Sequence, residues 1–406
     1  MEKENQAFLD AIIASPEDDT PRLVYADWLD EHGNPDRAEF IRVQIQRSRT
    51  SKYDPEWWLL LHRERELLAK NEAEWATPVA AITRHYEFQR GFIHKVAIGG
   101  RKLGTHGVEL FQLAPIRHVR VVRPGTSGPT LADLAAYEVL PRIRGLTLQG
   151  RLDDAGDLRM LFTAPAAKSL SALTLEHPFA VDGLQPLLEG SLPHLESLDL
   201  GVGVSILTAN HIETLSKARW ASKLLHLGLR DHGINVSGVE AIAQSKVFAK
   251  LSTLDLNHCG VGLAGTRALA ESSTLKNLFR LDLRRNRLTD RAAIALAAGE
   301  KLPALTELYL GMNELGPEGA KALANGPGLT RLRLLHLYSN PIGDEGALAL
   351  AASPHAANIR YLDVSHTGIS ERGMRALRES PHLKTARIGS FRDDDGIIAA
   401  FDMVEN

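Results

Sequence analysis

The sequence predicts an α/β solenoid preceded by a small all-α module, and three observations predict it. A segment of the form L-x-x-L-x-L starts at Leu224, Leu251, Leu278, Leu305, Leu332 and Ile359, six starts spaced 27 residues apart. A fixed period of this size marks one supersecondary unit, which buries its apolar face only by stacking on its neighbours. The second half of each unit repeats as well: Ala241, Ala268, Ala295, Ala322, Ala349 and Ala376 stand 17 residues after the starts, each followed by Ile or Leu. Residues 1–75 lack the period and read as short helices.

Within a unit the elements follow in order. Alternation puts the second and third leucines of L-x-x-L-x-L on one face of a strand, Leu281 and Leu283 in the third unit. Eight residues after the starts come His232, Cys259, Asn286, Asn313, Asn340 and Thr367. An Asn at a strand exit can bond otherwise orphaned backbone groups, and stacked Asn residues would form a ladder. Stretches such as DRAAIALAAG and PEGAKALANG are good helix formers, with Pro317 and Ser370 suited to helix starts. Gly238, Gly265, Gly319, Gly346 and Gly373, three residues before the Ala column, are expected where the helix backbone approaches the strand layer. One unit is thus strand, turn, helix and return loop.

The register L-x-x-L-x-L-x-x-N/C-x-L resembles the leucine-rich repeats, specifically the helix-bearing type seen in ribonuclease inhibitor. The resemblance implies a horseshoe with a parallel sheet on its concave side and helices on its convex side. Less regular starts are expected at Ile93, Ile116, Ile143, Leu170 and Leu195, and a last strand at Leu383, about twelve strands in all. Their eighth positions hold Arg101, Pro124, Arg151, Pro178 and Gly203. The expected division is a helical module over 1–75, a connector and start of a cap over 76–92, and a repeat array over 93–390. Within the array, 93–223 is divergent, 224–382 regular and 383–390 the last strand; 391–406 is a C-terminal cap or tail.

In the module, ENQAFLDAIIASP reads as a helix ended by Pro16. The next has Thr20 as N-cap, Pro21 in its first turn and Gly33 as C-cap; NPDRAEFIRVQIQRSR and DPEWWLLLHRERELLAKNEAEW complete the set. The segment DDTPRLVYADWLDEHGNPDRAEFIRVQ resembles the short repeat-companion domain found ahead of repeats in bacterial proteins, which favours a bacterial source but implies no activity. Arg22, Asp27, Glu31, Arg37 and Glu39 are expected to pair along and between helices. Trp57, Trp58 and Trp75 are candidates to cover the first repeat, or to anchor a partner.

Composition narrows function. Across 406 residues, 47 Lys and Arg face 50 Asp and Glu, so the formal charge is −3 and no bulk attraction to nucleic acid or membrane follows. Arg117, Arg120, Arg123, Arg142 and Arg144 offer a route to nucleic acid, which the charge balance disfavours. The single cysteine, Cys259, excludes an intrachain disulfide and stands at the Asn/Cys position, where it reads as structural. No signal peptide or membrane span is visible, and a cytoplasmic protein is expected. No phosphate loop, zincin or nucleophile-elbow motif is present. His226, His258, His336 and His366 fall in different repeats without ligand spacing. No enzyme activity, cofactor or metal is therefore expected.

Counting each start as zero, alternation sends positions 2, 4 and 6 to the concave side. Those columns gather Tyr309, His336, Tyr338 and Tyr361 as aromatic and imidazole anchors, beside Arg230, Arg280 and Arg284, with Leu334, Met312, Arg285, Asp255 and Asp282 close by. Tyr and Arg are the residues most enriched at protein-binding hot spots. The expected function is a non-enzymatic scaffold that binds a protein or peptide on this face. The alternative, by analogy with ribonuclease inhibitor and some GTPase activators, is a regulatory inhibitor of an enzyme or a GTPase regulator.

Overall fold

The computed structural model describes residues 2–122, 130–149, 155–176, 185, 187, 192–201, 207–298 and 301–389. The expected tail over 391–406 lies outside them, as do Arg123, Pro124, Arg151, Pro178 and Gly203. The chain forms two compact units, Met1–Leu170 and Ser171–Asn406. Among the described residues no helix is long and apolar enough to cross a membrane.

The first unit starts with α1 (Glu2–Ala14), α2 (Thr20–Glu31), α3 (Pro35–Arg49) and α4 (Pro55–Ala80). Thr20 is the first helical residue rather than the cap, and Asp18 accepts its N–H at 2.8 Å. Gly33 ends α2 with a φ of +80°, a left-handed turn that suits glycine. The fourth helix runs past the expected boundary at 75. The connector holds a strand absent from the sequence reading: β1 (His85–Gln89) pairs antiparallel with β2 (Phe92–Gly99) through the turn Arg90–Gly91. Parallel strands β3 (His118–Val122) and β4 (Gly145–Gln149) follow, with helices α5 (Gly100–Leu113), α6 (Leu131–Ala135) and α7 (Ala155–Thr163).

The cover on the first repeat comes from a different source than the three tryptophans alone. Phe92 joins the core formed by Ile12, Tyr25, Leu29, Ile41 and Ile45, while β1 closes the sheet edge. Trp75 packs on Phe40 at 4.8 Å, whereas Trp57 lies edge-on to Trp58 at 5.1 Å and under Arg47 at 5.4 Å. Asp27 and Glu39 do pair, with Arg42 at 2.6 Å and Arg63 at 2.7 Å. Arg22 and Arg37 depart from the expected pairing: Arg22 donates to the Asp18 carbonyl at 2.7 Å, and Arg37 lies among aromatic rings.

The second unit is the parallel solenoid that the period demands. Its strands are β5 (Ala172–Leu175), β6 (Ser197–Asp199), β7 (His226–Gly228), β8 (Thr253–Asp255), β9 (Arg280–Asp282), β10 (Glu307–Tyr309), β11 (Leu334–His336), β12 (Tyr361–Asp363) and β13 (Arg387–Ile388). Position 2 of every repeat is in register from Ala172 and Ser197 through His226, Thr253, Arg280, Glu307 and Leu334 to Tyr361. Only the last strand slips, Tyr361 opposing Arg387, four residues after Leu383. Strands β6 to β12 are each followed by a helix: α8 (Ala209–Leu215), α9 (Asn235–Gln244), α10 (Gly262–Ala270), α11 (Asp290–Ala297), α12 (Pro317–Asn325), α13 (Gly343–Ala352) and α14 (Glu371–Arg378). The core columns, such as Leu281, Leu283, Leu288 and Leu310, are buried.

The glycine column has another cause than the one expected. A Cβ on Gly346 would lie 2.8 Å from Ala320 Cβ, and one on Gly319 would lie 3.2 Å from Asp290 Cα. The close neighbour is the preceding helix, so glycine lets successive helices, not helix and strand, approach.

Candidate interaction face

The turn after each strand decides what the repeats leave for function. Asn313 Oδ1 accepts the backbone N–H groups of Asn286 and Leu288 at 2.8 and 3.1 Å, and its Nδ2 donates to the carbonyls of Leu283 and Leu310. Asn286 does the same for Cys259 and Val261, and Asn340 for Leu315. The ladder therefore exists, and each rung satisfies groups of the preceding repeat. Cys259 substitutes for the amide: its thiol donates to the Leu229 carbonyl at 2.8 Å, and burial pushes its pKa far up, which removes the thiolate that nucleophilic chemistry requires.

A second column, read in the sequence only as part of the concave face, stands at position 4. Asp199, Asp255, Asp282 and Asp363 each accept the backbone N–H two residues on, at 2.7 to 2.9 Å. The pattern L-D-L, or L-D-V at Asp363, was its visible signal. Asp255 and Asp282 sit side by side, and Arg230 spans the gap left by Gly228, 3.1 Å from Asp199 and 3.4 Å from Asp255. Burial, then the nearby Asp282, pushes the Asp255 carboxyl up to about 7 despite Arg230. Among the described residues no three His, Cys, Asp or Glu side chains are grouped to hold a metal ion.

The expected anchors are placed on one face, next to one another, but most are packed into it. Arg280 is 2 % exposed, Tyr309 0 % and Tyr361 3 %, and His336 is also buried. The reason is lateral: with strands in strict register, each side chain is walled by its equivalents in the adjoining repeats. The Arg280 guanidinium lies 4.6 Å from the Tyr309 ring centre and 3.7 Å from Glu307, which accepts from the Tyr309 hydroxyl at 3.3 Å. Arg284 grips Asp282 at 2.6 Å and lies 5.6 Å from the same ring. His336 Nε2 is 3.3 Å from Asp363, yet burial outweighs that carboxylate and lowers the imidazole pKa. Gly311 leaves the room that the His336 ring fills, since a Cβ there would meet the ring at 2.7 Å.

The accessible part of the face is its rim. At position 6, Arg230, Asn257, Arg284, Tyr338 and Ser365 are half-buried. At position 7, Asp231, His258, Arg285, Met312, Ser339 and His366 all have φ between 55° and 63°, a left-handed conformation in every regular repeat. Its cause is the backbone: the position 7 N–H turns to donate to the position 6 carbonyl of the next repeat, as from Met312 to Tyr338 at 2.7 Å. The turn throws the side chains outward, and His258, Arg285, Met312 and His366 are exposed. They interact along the column: His258 bonds Asp231 at 2.9 Å, Arg285 Nε reaches the Met312 sulfur at 3.2 Å, and His366 lies edge-on to Tyr338 at 5.3 Å. No residue-type signal marks this column, because six positions hold five different residue types.

A sequence profile described as Leucine Rich repeat matches residues 249–270, 274–297, 301–324, 329–351 and 355–377. No curated protein matches the chain. Among solved structures, an internalin from Listeria monocytogenes is similar at 18 % identity over 68 % of this chain and 68 % of its own, with a TM-score of 0.44. A structure of the Rad7 and Elc1 complex in yeast is similar at 15 % identity over 92 % of this chain and 96 % of that one, also with a TM-score of 0.44. The chain carries leucine-rich repeats, in the part where its period is strictest.

Proposed function

We propose that this leucine-rich-repeat chain is a non-enzymatic scaffold that binds a protein or peptide across the rim of the strand face between Arg230 and His366. The observation that carries the reading is the division of labour within the repeat. Positions 3, 4, 5 and 8 are consumed by the core, the carboxylate turns and the ladder, whereas position 7 is free of that work and projects outward. Around Tyr338 the projecting set is mixed: the thioether of Met312, the ring of His366 and the guanidinium of Arg285. Flexible sulfur, an aromatic face and a cation together suit a polypeptide surface with apolar and acidic groups. Of the residues expected to bind, Tyr338, Arg230 and Arg284 keep that role; Tyr309, His336, Tyr361 and Arg280 set the shape and charge beneath it. The resemblance of residues 18–44 to repeat-companion domains supports a bacterial setting.

The test is affinity purification from the source lysate with wild type and with Met312→Glu plus Tyr338→Ala, followed by titration of the purified partner. The double substitution should weaken binding at least tenfold while leaving the urea midpoint unchanged. Equal affinity for both forms would move the partner to another surface.

A further inference from the structure

In the Met1–Leu170 unit a cleft of about 510 Å³ opens between the end of α1, the end of α5 and the starts of two divergent repeats. Ile13 and Phe111 supply apolar wall, and Arg117, Arg142 and Arg144 supply charge. Backbone carbonyls take part in holding all three guanidiniums. Arg142 Nη2 donates to the Phe111 carbonyl at 2.7 Å, and Arg117 Nη1 donates to the Arg142 carbonyl at 3.3 Å. Arg144 Nη1 donates to the carbonyls of Pro141 and Ser169 at 3.0 and 3.3 Å. Among the described residues Arg142 has no carboxylate within ion-pair distance. Arg117 has Glu17 at 3.2 Å, but that carboxylate also faces Arg90 at 3.8 Å. Burial and the nearness of Arg117 lower the pKa of both Arg142 and Arg144, the signature of cations crowded together.

We propose that this cleft binds a phosphate-bearing small molecule, with the phosphate among Arg117, Arg142 and Arg144 and the rest of the molecule against Ile13 and Phe111. Three planar donor groups fixed by the backbone match the several oxygens and double charge of a phosphate better than the two oxygens of a carboxylate. The volume is that of a metabolite pocket. Two acidic side chains, Asp10 on the cleft wall and Glu17 beside Arg117, oppose a long polyanion running through it.

The experiment is calorimetric titration of the full chain at fixed ionic strength with inorganic phosphate, phenyl phosphate, acetate and a dodecathymidylate. Saturable binding of phosphate is expected, tighter for phenyl phosphate because of its apolar body, with no saturable heat from acetate. Arg142→Gln should weaken phosphate binding at least tenfold. Glu17→Gln, at a side chain 64 % exposed, should tighten it severalfold, a gain that a damaged fold does not produce. Absence of saturable phosphate binding, or an affinity indifferent to both substitutions, overturns the site. Acetate binding as well as phosphate overturns the ligand class, and an oligonucleotide bound far more tightly than either phosphate overturns the small-molecule reading.

Discussion

Arg37 in the helical module and Arg284 in the repeats are both largely buried guanidiniums, and their surroundings could hardly differ more. Arg37 lies 4.9 Å from the Trp75 ring, 5.1 Å from Phe92 and 5.5 Å from Phe40, with no carboxylate in ion-pair distance among the described residues, and burial lowers its pKa to about 10. Arg284 lies 2.6 Å from a fully buried Asp282, with Asp255 and Tyr309 near it. The module meets the Arg37 charge once, with ring faces brought from α3, α4 and the β1–β2 hairpin. In the repeats the Asn ladder meets the polar demand periodically, each rung satisfying backbone groups of the preceding repeat. Order in the module is therefore a sum of local contacts, and order in the repeats is a property of the stack.

That contrast can be broken at several points. The largest effect is expected from Asn313→Ala, which orphans the buried N–H groups of Asn286 and Leu288 and the carbonyls of Leu283 and Leu310. We expect a loss of about 4 kcal/mol, seen as a lower urea midpoint, and a loss below about 1 kcal/mol would mean that water replaces the rung. Next come two matched substitutions. Arg284→Met strands the Asp282 carboxylate and should cost about 3 kcal/mol, whereas Arg37→Met leaves no carboxylate behind and should change stability by less than about 1 kcal/mol. Equal costs would erase the distinction between the units.

A smaller effect than either loss concerns pH. Asp255 titrates near 7 in the folded chain, above the ordinary carboxylate range, so the folded state holds a proton that the unfolded state has released. Its contribution is fully present below about pH 4 and is lost as pH rises through 7. Asp255→Asn keeps an acceptor for the Asn257 N–H and removes this slope. Relative to wild type it should gain about 2 kcal/mol between pH 5 and pH 8, read from urea melts at both values. An unchanged difference would show that Arg230 keeps the carboxylate charged throughout.

The repeat starts, the strand register, the Asn ladder and the structural role of Cys259 were all legible in the sequence, because a period multiplies each signal six times. The strand β1 was not, since Arg90–Gly91 turns a lone hairpin that occurs once. The face was only half legible. Alternation told which side Tyr309 and His336 occupy, but not that in-register neighbours would seal them, which depends on the spacing between strands rather than along them. The Asp column was read as part of the concave face, but not as the acceptor that closes each turn, as aspartate suggests solvent. Position 7 carried no composition signal at all, since backbone geometry alone selects it.

That column also bears on how such a chain could change over generations. A left-handed residue with a side chain costs of order 1 kcal/mol that glycine would spare, yet six consecutive repeats place Asp, His, Arg, Met, Ser and His there. These are letters on a fixed carrier. Exchanging Met312 and His258 rewrites the inscription without touching the page. Duplicating one 27-residue unit would slide every later letter by one strand spacing, about 4.8 Å, an indel that leaves the fold intact and moves the message.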